Sequence, residues 1–143
     1  MDEQLYPRVG AGAFIVNERK ELLLVLRKKA PEQGHWSLPG GKVEWMETVE
    51  DTVVREIQEE VGLEIQITSL LCVTNHILRE ENVHWVCPTY MAKAIGGTAE
   101  NLEEHAIDRI GWFSVESLPT PLTLTLQNAL KEYWRSNFGM DQL

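Results

Sequence analysis

The sequence predicts an α/β layered sandwich built on a mixed β-sheet. Three observations point there. Several apolar runs of strand length are separated by short polar turns. Two segments carry helical periodicity, one near the middle of the chain and one near its end. One run, ELLLVLRKK, is apolar at consecutive positions, as a strand covered on both faces would be. Strands flanked by two separate helices bury their faces best as stacked layers.

In chain order, RVGAGAFIVN (Arg8 to Asn17) reads as a glycine-dotted strand, and NERK as the turn into ELLLVLRKK (Glu21 to Lys29). APEQGHW is a loop. SLPGGKVEW (Ser37 to Trp45) is a short extended piece broken by Pro39, Gly40 and Gly41. Thr48 to Val61 is the clearest helix. Thr48 and Asp51 have the spacing of a capping box, and Gly62 suits a left-handed C-terminal cap. Strands follow through Ile67 to Ile77 and Val83 to Ile95, with REEN turning between them. Pro88 predicts that the second of these is an edge or interrupted strand. GGTAENLEEHA is a loop and RIGWFSV a short strand. Pro121 to Trp134 is a second helix, with Leu122, Leu126, Leu130 and Trp134 spaced to face a core. No repeat or long linker divides the chain, so residues 1–143 are expected to form a single domain.

The chain carries a formal net charge of -9, which argues against nonspecific nucleic-acid binding. A small phosphate ligand is still compatible, because a divalent cation can sit between acidic side chains and an anion. No apolar run reaches the length of a membrane span, and the N-terminal segment lacks a signal-peptide core. A cytoplasmic location is expected. Cys72 and Cys87 make no disulfide framework and no zinc site, and read as buried thiols.

The middle helix holds the chemistry. On its wheel Val49, Val53, Ile57 and Val61 form the apolar stripe, while Asp51, Arg55 and Gln58 lie opposite. Glu56, Glu59 and Glu60 fall at the stripe's edge, at i+3 and i+4 spacing, so their head groups converge. Like charges so placed cost a few tenths of a kcal/mol per pair, which a surface helix would avoid or lace with lysine. Hard oxygen donors in such a cluster suit Mg²⁺ or Mn²⁺. The Gly40-Gly41 turn just upstream lets backbone approach a ligand closely.

From Gly41 to Leu63 the sequence matches every fixed position of G-x5-E-x7-R-E-U-x-E-E-x-G-U, where U is a bulky aliphatic residue. In this the chain resembles the Nudix hydrolases, and the order of strands and helices agrees with a Nudix-like α/β/α sandwich. The resemblance implies metal-dependent hydrolysis of a nucleoside diphosphate linked to another moiety. By position it assigns Glu59 and Glu60 as metal ligands. Glu56 becomes a ligand or the base that activates water, and the carbonyl of Gly40 a further ligand. Arg55 would orient Glu56, and Glu47 would support the helix entrance. The catalytic set is then Glu56, Arg55 and Glu59. Many Nudix enzymes add an acidic residue from a later loop, for which Glu103 and Glu104 are the candidates, Glu104 preferred. Met46 stands where many members carry glycine.

The box specifies chemistry rather than substrate. Arg27, Trp36 and Trp85 are the candidate substrate contacts, through phosphate recognition or base stacking. Trp45 and Trp112 add further large aromatics, and the four histidines lack metal-ligand spacing. Markers of the ADP-ribose and dinucleoside polyphosphate subfamilies are absent. The chain looks more like the nucleoside triphosphate pyrophosphohydrolases, which give a nucleoside monophosphate and pyrophosphate. An ADP-ribose or nucleotide-sugar pyrophosphatase is the alternative, and a non-catalytic nucleotide sensor a third reading. The expected partner is a small nucleotide, with no nucleic acid and no membrane. Exposed aromatics and the strand near Pro88 leave room for a homodimer.

Overall fold

A computed structural model describes residues 6–138. Strand β1 (Arg8–Ile15) turns into β2 (Glu21–Arg27), and Asn17 organises that turn by accepting from the N–H groups of Arg19 and Glu21, each at 2.9 Å. The short strands β3 (Trp36–Ser37) and β4 (Gly40–Lys42) lie on either side of Pro39. Helix α1 (Val49–Val61) follows, then the long strand β5 (Leu63–Leu78), a 3-10 turn at Arg79–Glu81, and β6 (Val83–Gly97). Strand β7 (Ile107–Ser114) and helix α2 (Leu124–Phe138) complete the order.

The strands form a four-stranded sheet, β4-β1-β6-β5, and a three-stranded sheet, β3-β2-β7. The larger sheet is mixed: β1 and β6 run parallel and the other pairs antiparallel. Side-chain alternation along β1 and β2 creates two cores. Ala13, Ile15, Leu23 and Val25 meet Val53, Ile57 and Val61 of α1. Phe14, Leu22 and Leu24 point the other way, to Leu126, Ala129 and Tyr133 of α2, with Phe14 stacked on Tyr133 at 4.9 Å. Burying each such Leu, Ile or Phe stabilises the fold by about 1.5–3 kcal/mol. The Leu/Val run of β2 is therefore covered on both sides, and the molecule is an α/β/α sandwich. Among the described residues no helix is long and apolar enough to cross a membrane.

Two expectations need correction and a third holds in one of its alternatives. Strand β6 is interrupted at Pro88, as expected, but it is not at an edge; it runs between β1 and β5. Pro88 is tolerated there because the ladder to β1 skips it, passing from Val9↔Val86 to Gly12↔Thr89, while Pro88 pairs with Val73 on the other side. Helix α2 starts at Leu124, not Pro121. Leu122 bridges to Trp36 instead, and Thr123 caps the helix, its carbonyl accepting from the N–H of Gln127 at 3.0 Å. Cys72 and Cys87 are free thiols and only partly buried; burial pushes both up from the ordinary thiol range.

Candidate active site

Helix α1 begins as its sequence dictates. Thr48 is extended and its Oγ1 accepts from the N–H of Asp51 at 3.1 Å. At the other end Gly62 adopts φ 75, and its N–H donates to the carbonyl of Gln58. Together these fix the register of every side chain between them.

Arg55 is the hub of the helix's polar side. The wheel puts it on the solvated face, yet its side chain is only 29% exposed because it bends back among the carboxylates. Its Nε and Nη2 donate to the two oxygens of Glu47, at 2.7 and 3.0 Å. Its Nη1 donates to both Glu56 and Glu59, each at 3.1 Å. Glu47 also accepts from the Thr52 hydroxyl at 2.7 Å and the Glu44 N–H at 3.0 Å. The Arg55 guanidinium, aided by these donors, pulls the Glu47 carboxyl down to about 2.

Glu56 and Glu60 are in the opposite condition. Burial raises the pKa of Glu56; Arg55 opposes the shift, and the charges of Glu59 and Glu103 add to it. Burial pushes Glu60 up to about 8, against the Gly40 N–H that donates to its Oε1 at 2.9 Å. Neighbouring Glu56 and Glu103 push it further, and Arg27 offsets them in part. Convergence of the three head groups is thus only partial. Glu56 and Glu59 meet on Arg55, while Glu60 turns to the backbone of β4. Among the described residues no three acidic, histidine or cysteine side chains close into a cage for an ion in this conformation. The donor set nevertheless fits a hard divalent cation. It is all oxygen, it is rich in carboxylates, and Glu60 is desolvated, with no cation bonded to it among the described residues.

The glycines are where that geometry needs them. A Cβ on Gly41 would overlap the Glu56 carboxylate, and one on Gly40 would overlap the carbonyl of Ala11. Met46 sits at φ 67, in the left-handed region, so a glycine there would be free of strain. In the loop before β7, Glu103 rather than Glu104 is the acid whose charge reaches Glu56 and Glu60. Glu104 is exposed and its carbonyl accepts from Lys28.

A cavity of about 230 Å³ opens beside Gly40 and Gly41. Its floor is the α2-facing side of β1, bare at Gly10 and Gly12. Trp85 lines it, with the Arg8 guanidinium 5.8 Å from the ring centre. Arg27 lines it too, but its Nε donates inward to the Pro31 carbonyl at 2.7 Å. Trp36 does not reach it: the ring is buried against Phe113, edge-on at 4.9 Å, so packing claims that side chain. Trp112 packs against the α1 core and Trp45 is 92% exposed. Sequence reasoning missed three residues of this cavity. Thr89 is fully buried, and its hydroxyl has no hydrogen-bond partner among the described residues. Glu32 and His76 form a bonded pair in its wall. Such groups are found only when the strands and loops are assembled.

The NUDIX domain family model matches residues 6–133. The chain belongs to the Nudix family. It is a hydrolase of nucleotide diphosphate derivatives, a class that generally uses divalent metal ions. This Nudix hydrolase is 35% identical to an ADP-ribose pyrophosphatase of Methanocaldococcus jannaschii, covering 94% of this chain and 78% of that protein. It is 33% identical to the 8-oxo-dGDP phosphatase of Mus musculus over 77% of its length, and spans only 33% of that longer protein. A crystal structure of a MutT Nudix hydrolase from Burkholderia pseudomallei is 46% identical, with a TM-score of 0.85 over 89% of this chain and 98% of that one.

Proposed function

We propose that this Nudix hydrolase cleaves a (deoxy)nucleoside triphosphate to a nucleoside monophosphate and pyrophosphate. The observation that carries the reading is the likeness to the MutT structure, 46% identical with nearly the whole of both chains covered. The cavity beside the Gly40-Gly41 turn, with Trp85 in its wall, offers a place for one base. ADP-ribose is the second reading, favoured by the archaeal relative.

In this reading Glu56, Glu59, Glu60, the Gly40 carbonyl and Glu103 would hold Mg²⁺ or Mn²⁺. The bound metal would supply charge for the phosphate oxygens and acidify water. Glu56 takes the proton of the attacking water, its raised pKa bringing it nearer the working pH. Arg55 holds Glu56 and Glu59 in place through one nitrogen and is itself locked by Glu47. Lys42 offers positive charge at the cavity for the phosphate chain, while Arg27, also in its wall, is held by the Pro31 carbonyl. Trp85 offers a face for the base.

Product analysis on a panel of nucleoside triphosphates, damaged triphosphates, ADP-ribose and nucleotide sugars tests this, with Mg²⁺ or Mn²⁺ and a Glu59→Gln control. Pyrophosphate release from a triphosphate, lost in the control, is expected. Faster turnover of ADP-ribose to AMP and ribose 5-phosphate would replace the first reading with the second.

A further inference from the structure

The Glu32 carboxylate joins three segments that are remote in sequence. Its Oε1 meets His76 Nε2 on β5 at 2.8 Å, and its Oε2 accepts from the N–H of Leu124, the first residue of α2, at 2.8 Å. A carboxylate at neutral pH only accepts, so Nε2 is the donor. The pair is well covered, with side-chain exposures of 15% for Glu32 and 6% for His76. Glu32 itself adopts φ 59, a conformation that costs a non-glycine residue energy. The loop is folded tightly behind it: Arg27 donates to the Pro31 and Lys29 carbonyls, and the His35 N–H donates to the Glu32 carbonyl. Each joined segment also lines the cavity, through Pro31 and Glu32, through His76, and through Thr123 and Thr125.

We propose that Glu32 is a positioning residue whose carboxylate holds these three walls at the spacing that grips the heterocyclic ring of the substrate. The inference rests on the nucleotide reading above and adds the residue that sets the grip. Glu32 acts on the base end of the ligand and not on the phosphates, which lie toward Gly40 and α1. Its loss therefore weakens ligands with a base and spares ligands without one.

Calorimetric titration with nucleoside monophosphates and with ribose 5-phosphate tests this without requiring turnover. Wild-type protein is expected to bind one monophosphate more tightly than ribose 5-phosphate. Glu32→Ala is expected to weaken that monophosphate about tenfold, the scale of a lost buried hydrogen bond or two, and ribose 5-phosphate by less than about twofold. Glu32→Gln is expected to restore the affinity, because its amide can donate to His76 while its carbonyl accepts from Leu124. Glu32→Asp, too short to reach both partners, gives an intermediate loss and serves if the alanine variant does not fold. Equal weakening of both ligands overturns the proposal, as does a folded Glu32→Gln protein as weak as Glu32→Ala. So does a wild-type protein that binds every monophosphate no better than ribose 5-phosphate. A wild type that shows the expected binding but hydrolyses no nucleotide refutes the proposed reaction and leaves the role of Glu32 standing.

Discussion

Glu47 and Glu60 bracket the same helix, and their surroundings push them in opposite directions. Glu47, just before α1, accepts four hydrogen bonds, two of them from Arg55, and its carboxyl is held at about 2. Glu60, in the last turn, accepts one from the Gly40 N–H and is driven to about 8. Arg55 reaches the first carboxylate and not the second. In the proposed reading the two glutamates of one motif divide into scaffold and site, and the division follows from where Arg55 reaches.

The sharpest way to break that comparison is Glu60→Gln. Activity is expected to fall by about two to three orders of magnitude, since several kcal/mol of metal-borne stabilisation depends on this set. Metal-free melting at pH 9 is expected to rise, because the buried charge is gone. A loss of both would make Glu60 a structural residue. Arg55→Lys comes next. Lysine cannot replace the fork that grips Glu47 while holding Glu56 and Glu59, so kcat should drop about 10–100-fold, the usual scale for a residue that orients ligands. An unchanged kcat would remove Arg55 from the mechanism.

The third prediction uses pH. Glu60 binds its proton more tightly folded than unfolded, so between about 4.5 and 8 folding retains a proton that unfolding releases. Metal-free stability from this group falls as pH rises through that window. Mg²⁺ should accordingly raise the melting temperature more at pH 8 than at pH 5.5. Glu47 has the reverse sign: its contribution is complete above about 4.5 and is lost as pH falls toward 2. The destabilisation caused by Glu47→Gln in urea titrations should shrink between pH 7 and pH 3. The smallest effect belongs to Thr48→Ala, about 1 kcal/mol from the lost cap, with kcat little changed.

What was legible in the sequence is local. The caps of α1, its apolar stripe and the doubly covered β2 follow from spacing alone, because neighbours in sequence decide them. The wheel alone puts Arg55 in solvent, because it records where a side chain starts and not where a long one ends; the motif resemblance is what pointed it at Glu56. Pro88 signalled an interruption but could not say which of two ladders carries it, a property of the β1 partner. Trp36 and Trp85 look alike as residues, and only packing separates the ring in the core from the ring on the cavity. Glu32, His76 and Leu124 meet across 44 and 92 residues, which no short pattern can announce.

Gly10 and Gly12 give the molecule a further property. A methyl group on Gly10 would stand 3.2 Å from the Trp85 ring, and one on Gly12 would stand 3.1 Å from the Pro39 carbonyl. Both glycines stand outside the Gly41-to-Leu63 motif, on the strand that pairs with β4 at Gly40 and Lys42. A single-codon change at either would narrow the cavity without altering a residue of that motif.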